Sequence, residues 1–116
     1  MPNVLRLRKR EDFLRVRNAN KSVSAAGLVL QVATSNIDDA SSIRVGFTAT
    51  SKIGNAVVRN RIKRRLRAVV REVMGKSAIP AHDYVIIGRF RTADREFTSL
   101  VKDLKYALHN TGTFKK

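Results

Sequence analysis

Lys52-Ile53-Gly54-Asn55-Ala56-Val57-Val58-Arg59-Asn60-Arg61-Ile62-Lys63-Arg64-Arg65-Leu66-Arg67 is the stretch on which the fold turns. Six of the nine residues from Arg59 to Arg67 are Lys or Arg, and no Asp or Glu occurs between Ile43 and Arg71. A disordered basic tail shares that composition but not the spacing. Val58, Ile62, Leu66, Val69, Val70 and Val73 recur at intervals of three and four, the period of one helix face. Placing successive residues about 100° apart gathers those six into one arc. Asn60, Arg61, Arg64, Arg67 and Arg71 fall on the opposite side. Asn55 or Gly54 is suited to cap the start and Gly75 to end the helix, which predicts a helix over 56–74. One side then packs into a core. The other displays a fixed row of guanidinium groups, which fits a regularly spaced polyanion.

The 116 residues suit one domain, 1–116, and 43% hydrophobic residues are enough to bury a core. Lys and Arg outnumber Asp and Glu by 24 to 9, a net charge of +15 with a pI near 11.5. That balance makes nucleic acid the first partner to consider, ahead of an anionic membrane or an acidic protein. The absence of Cys excludes disulfides and thiolate metal sites. Apolar runs such as Leu28-Val29-Leu30 are too short to span a bilayer, and Met1 to Arg10 lacks the apolar centre of a signal peptide. A cytoplasmic protein with no membrane partner is the simplest expectation.

Residues 1–9 read as a loose basic segment. Arg10 to Asn18 reads as a short helix, with Glu11 and Asp12 at its positive end and Arg15 and Arg17 at its negative end. A short strand over 22–25 precedes a better one over 27–34, where Leu28, Leu30 and Val32 alternate onto one side. Residues 35–42, rich in Asn, Asp and Ser, form a hairpin loop. Residues 43–50 form the next strand, and the basic helix follows. A compact apolar run over 84–88 has the pattern of a central strand. Phe97, Leu100, Val101, Leu104, Ala107 and Leu108 mark a last helix, with Asp94 and Glu96 in its first turn. The end, from Thr111 to Lys116, reads as frayed. The order is α-β-β-β-α-β-α. A strand, a long helix and another strand imply a parallel pair joined by a crossover, in an α+β architecture with one sheet and helices on one side.

A catalytic site within the chain is poorly supported. His82 and His109 fall in a loop and near the frayed end, and solvation is the simpler account of both. Asp38 and Asp39 suit a turn better than a metal. Ser51-Lys52 and Gly54 do not match a nucleotide-binding loop, although backbone N–H groups at a helix start suit phosphate contact. If the basic face existed only for solubility, acids would be interspersed along it, and they are missing. Phe13 and Phe90 have basic neighbours and are candidates to stack on unpaired bases. Charge alone leaves three readings: an RNA-binding subunit of a larger enzyme, a noncatalytic structural binder of RNA or DNA, and a basic amphipathic helix for membranes or proteins.

The run from Val45 to Arg64, with its core Lys-x-x-Gly-Asn-Ala-Val-x-Arg-Asn-Arg-x-Lys-Arg, resembles the signature of the protein subunit of bacterial ribonuclease P. Leu7 to Phe13 resembles the family's basic start running into Asp-Phe. The resemblance implies a two-layer α/β sandwich like domain 2 of ribosomal protein S5, with a left-handed β-α-β crossover. It implies a catalytic RNA as partner, with Mg2+ held mainly by that RNA, and precursor tRNA with its 5′ leader as substrate. The holoenzyme cuts off the leader; the protein binds it and raises substrate and metal affinity, is monomeric alone and contributes no catalytic or metal-ligating residue. Carried onto this chain, the RNA contacts are Lys52, Asn55, Arg59, Asn60, Arg61, Lys63, Arg64, Arg65 and Arg67. The leader cleft, between the sheet and the first helix, takes Phe13, Arg17, Gln31 and Arg89. Arg17 and Gln31 stand where the family often has aromatic residues, so charge and hydrogen bonding replace part of the stacking.

Overall fold

Alternation along the strands sorts the chain onto two faces of one sheet. The computed structural model describes residues 3–115. Its elements are β1 (Asn3–Arg6), α1 (Arg10–Asn18), β2 (Ser22–Ser24), β3 (Leu28–Thr34), β4 (Ser42–Thr48), α2 (Ala56–Ser77), β5 (His82–Gly88) and α3 (Phe97–Asn110), with short 3-10 turns at Ser51–Ile53 and Phe90–Ala93. The strands lie in the order β1-β4-β5-β3-β2. β4 runs parallel to both β1 and β5, while β3 is antiparallel to β5 and β2. The α+β class and the parallel pair joined by the long helix are as the sequence predicts.

The main core forms where Leu28, Leu30, Val32, Ile43, Val45, Tyr84 and Ile86 meet α2 and α3. From α2 come Ile62, Leu66, Val69, Val70 and Val73, all buried, with Val58 half-buried beside them. The predicted apolar arc of the basic helix is therefore the packed one. Burial of side chains of this size contributes about 1.5–3 kcal/mol each, which is what holds a helix this highly charged against the sheet.

Helices on one side describes α2 and α3 only. α1 packs on the opposite face, where Leu7, Val16, Ala33 and Val85 form a second, smaller core with Phe13 and Ile87. On that face Val85 and Ile87 lie beside Val29 as apolar positions. The expectation of a loose segment over 1–9 is corrected as well: Asn3–Arg6 is an edge strand in register with Ser42–Val45, and Leu7 is buried. A strand this short carries too few apolar positions to show a period. Residues 1 and 2 lie outside the described residues.

Two helix ends also differ from expectation. Gly75 does not stop α2, which runs on to Ser77. Glycine ends a helix by turning left-handed, and here the buried Met74 and Ala78 keep the turn closed instead, Ala78 N–H donating to Met74 O at 3.0 Å. At α3 the first turn holds no acid; Glu96 is the cap residue and Asp94 ends the preceding 3-10 turn. Residues 111–115 are held by hydrogen bonds, not frayed as the sequence suggested. Gly112 takes φ +73, so that its N–H reaches His109 O at 3.2 Å and Thr113 N–H reaches Leu108 O at 2.9 Å, the paired bonds of a Schellman stop. Phe114 then bridges to Ala78 and stacks on His109 with ring centroids 3.8 Å apart. Lys116 is outside the described residues.

Candidate nucleic-acid interface

The basic helix starts from a cap. Asn55 is extended, and its side chain accepts the Val58 N–H at 3.0 Å, satisfying one of the free donors of the first turn. Lys52, in the 3-10 turn just before, is exposed.

The cations of α2 divide by direction. Asn60, Arg64 and Arg71 are exposed along the outermost ridge. On the flank toward the Phe90–Ala93 turn, Arg61 Nε donates to Ala93 O at 3.1 Å and Arg65 to the same oxygen at 2.8 Å. Arg65 also donates to Arg95 O. These two guanidiniums fasten the helix to its neighbour as well as adding charge. On the other flank Arg59, Lys63 and Arg67 are half-buried, and Lys63 and Arg67 lie beside β4 and β1. Lys63 lines a trough with Arg8, Arg10, Phe13, Leu14, Phe47, Thr48 and Ala49. Arg67 and Arg71 border a shallow apolar basin with Val4, Arg6 and Phe47.

On the α1 face the sheet presents three rows set by register. Arg44, Asp83 and Ala33 are level with one another; next come Gly46, Val85 and Gln31; then Thr48, Ile87 and Val29. α1 covers the first two rows and leaves the third open. The result is a groove of about 370 Å³ lined by Phe13, Leu14, Arg17, Gln31, Thr48, Thr50, Val85 and Ile87. Three of the four residues expected in a cleft between sheet and first helix, namely Phe13, Arg17 and Gln31, line it. Arg89 does not; its guanidinium donates to Ala25 O at 3.1 Å.

The first row holds a buried group of charges. Asp83, fully buried, accepts from Arg44 Nε at 2.7 Å and Arg44 Nη2 at 2.6 Å, and from Arg15 of α1. Arg15 also donates to Thr34 O at 2.9 Å and to Asp12 at 3.4 Å, and Arg44 lies 3.8 Å from Asp12. The hydrogen bond to Asp83 holds the Arg44 guanidinium above its usual pKa. A second pair, Arg95 with Asp103 at 2.6 Å, ties the loop after β5 to α3, where Asp103 also accepts the Gly27 N–H.

The other candidates have structural partners. His82 Nδ1 lies 2.8 Å from Pro80 O and the ring is half-buried, while His109 is exposed and stacked on Phe114. Asp39 accepts from the Ser42 and Ser41 side chains and from Ser41 N–H, which lowers its pKa and makes it a turn residue. Phe90 is 74% exposed between Arg89 and Arg91.

Sequence reasoning missed Arg6 and Arg8 as lining residues, because residues 1–9 read as loose, and Arg10, which read only as the start of the first helix. It also missed the group around Asp83. A partial signal was present: Arg44 is a charge inside an apolar strand pattern and Asp83 directly precedes one, and such positions call for partners when buried.

The chain matches the family model described as Ribonuclease P over residues 1–112. It is 46% identical over 113 residues to the ribonuclease P protein component of Paramagnetospirillum magneticum, covering 96% of this chain and 85% of that one. It is 50% identical over 103 residues to the protein of the same name from Caulobacter vibrioides, covering 89% and 68%. Among solved structures, the RNase P protein of Staphylococcus aureus superposes with a TM-score of 0.76 at 30% identity, over 97% of this chain and 100% of that one. The RNase P protein from Thermotoga maritima gives 0.73 at 28% identity, over 89% and 94%.

Proposed function

The chain belongs to the ribonuclease P protein family, and from that premise we propose how its surface divides the work of the enzyme. As a protein component of ribonuclease P it is the protein part of a ribonucleoprotein endoribonuclease of tRNA processing, with the RNA subunit as its partner. In our reading Lys52, Asn55, Asn60, Arg64 and the flank Arg59, Lys63 and Arg67 contact the catalytic RNA. Arg61 and Arg65 contribute charge there while holding the loop after β5. The groove beside α1 takes the single-stranded 5′ leader of precursor tRNA, with Phe13 stacking on a base and Arg17 and Gln31 meeting phosphate and base edges.

One observation supports this reading most: Phe13 lines both the α1 groove and the trough that reaches Lys63 of α2. Leader site and basic helix are then one continuous surface, and a strand leaving the groove runs directly onto the cations of α2. The physical task is electrostatic. Two polyanions must approach each other, and a net charge of +15 offsets their repulsion. Hydrolysis of a phosphodiester uses metal-bound water. The buried carboxylates Asp12, Asp83 and Asp103 are engaged by guanidinium groups, so we assign the Mg2+ to the RNA, where a closer leader raises metal affinity indirectly. The same reading places a monomer in the cytoplasm, with its RNA and precursor tRNA as partners. Among the described residues, no helix is long and apolar enough to cross a membrane.

The test is cleavage by the reconstituted holoenzyme of precursor tRNAs that differ only in leader length. Affinity is expected to rise with leader length for the wild type and to lose that dependence with Phe13→Ala and Arg17→Ala combined. Wild-type affinity independent of the leader would overturn the groove assignment.

A further inference from the structure

We infer that Asp83 is a positioning residue for leader recognition: through Arg15 it sets how far α1 leaves the Thr48–Ile87 row of the sheet open. The inference rests on the proposed reading of that groove as the leader site. Asp83 is fully buried and cannot touch RNA, so any influence on the leader passes through another residue. Its partners come from two elements, Arg44 on β4 and Arg15 on α1. Both of its oxygens are engaged, and the Arg15–Asp83 bond is the close charged attachment of α1 to the first row of the face, with Asp12 of α1 more loosely placed 3.8 Å from Arg44.

Apolar contact alone does not locate α1. The helix has nine residues, and a helix of that length has little stability of its own. Val16 is its one buried apolar side chain, with Phe13 half-buried. Such a contact resists separation but not sliding along the strands, where a step of two residues moves the helix by about 6.6 Å. The Arg15 fork, bonded at once to Asp83 and to Thr34 O, is directional and blocks that slide. Buried ion pairs add little net stability compared with apolar packing, and fixing one arrangement is the better-attested use of them. Here the arrangement fixed is Phe13 over Gly46 and Arg17 at the rim of the open third row.

The experiment uses the holoenzyme with two precursor tRNAs, one with a long leader and one with a single-nucleotide leader. Asp83→Asn and Arg15→Gln are each compared with wild type and with Phe13→Ala. Both new variants are expected to weaken affinity for the long-leader substrate by about tenfold and to leave the short-leader substrate unchanged. Affinity for the RNA subunit should also stay unchanged, because neither Asp83 nor Arg15 bonds to any of the α2 residues read as RNA contacts. Arg15→Lys should restore part of the loss. If Asp83→Asn does not fold, Arg15→Gln decides alone, since it leaves the Arg44–Asp83 pair intact. Equal losses on both substrates, or none, while Phe13→Ala abolishes the leader effect, would overturn the positioning role. If Phe13→Ala too has no leader effect, the groove reading itself fails.

Discussion

The ring of Phe13 occupies the space that a side chain at position 46 would need: a β-carbon on Gly46 would stand 2.5 Å from Phe13 Cζ. The Leu7 β-carbon, 3.2 Å from the same point, closes the other side. Gly46→Ala therefore forces Phe13 to turn outward or α1 to lift. Overpacking of this kind costs about 1–3 kcal/mol, and the urea midpoint should fall accordingly. Because the displaced ring belongs to the groove, leader-dependent affinity should fall with it. A variant that loses stability but keeps full leader dependence would show that the ring position over Gly46 does not matter to the substrate.

Asn55 separates capping from binding. Its side chain holds the Val58 N–H at 3.0 Å, and Asn55→Ala should lower stability by about 1 kcal/mol. Asn55→Asp keeps the cap and adds a negative charge that the helix dipole favours, so its melting temperature should match or exceed wild type. The same charge faces RNA in the proposed interface, and RNA-subunit affinity should drop. Matching affinities for Asp and Asn at this position would place the RNA elsewhere.

What the sequence made legible is what a long periodic segment makes legible. Val58 to Val73 repeats at helical intervals for over four turns, so both faces of α2 followed from spacing. The strands read over 27–34 and 84–88 followed from alternation and an apolar run, although the second begins earlier, at His82, which read as loop. β1 did not, because four residues at a sheet edge have no period to read. The side on which α1 packs did not follow either, since Phe13 and Val16 show an apolar face but not which face of the sheet it meets. Signals for the group around Asp83 were scattered over three elements, and only tertiary pairing brings Asp12, Arg15, Arg44 and Asp83 together. Within the candidate interface, residue type identified the cations of α2 but not their directions. That Arg61 and Arg65 face the Ala93 carbonyl depends on where the loop after β5 lies.

Those directions distinguish neighbouring arginines. Arg65 donates to two backbone carbonyls, and Arg65→Gln should lower stability by about 1–2 kcal/mol. Arg64 is exposed and makes no side-chain hydrogen bond among the described residues. Arg64→Ala should leave the melting temperature unchanged while weakening RNA binding. If Arg64 meets one phosphate, its loss should reduce the log–log salt slope by about 0.7–0.9. An unchanged slope would remove Arg64 from the phosphate contacts.

Tyr84 carries a prediction for alkaline pH. Its hydroxyl donates to Ile79 O at 2.7 Å and its ring is fully buried; burial pushes the phenol well above its ordinary pKa. The folded protein therefore keeps this proton at pH values where the unfolded chain, with a phenol near about 10, releases it. Stability from this group is complete below that pH and is lost as pH rises further. Tyr84→Phe removes the donor to Ile79 O and should cost about 1 kcal/mol at neutral pH. It also removes the ionisation, so above about pH 10 the wild type should lose stability faster and the gap should narrow. Lysines titrate in the same range but are common to both proteins and cancel in the difference. Urea midpoints of the pair across this range measure it. A gap that stays constant would mean that the phenol ionises as easily in the folded protein as in the unfolded chain, and that the Tyr84–Ile79 bond is not shielded from water.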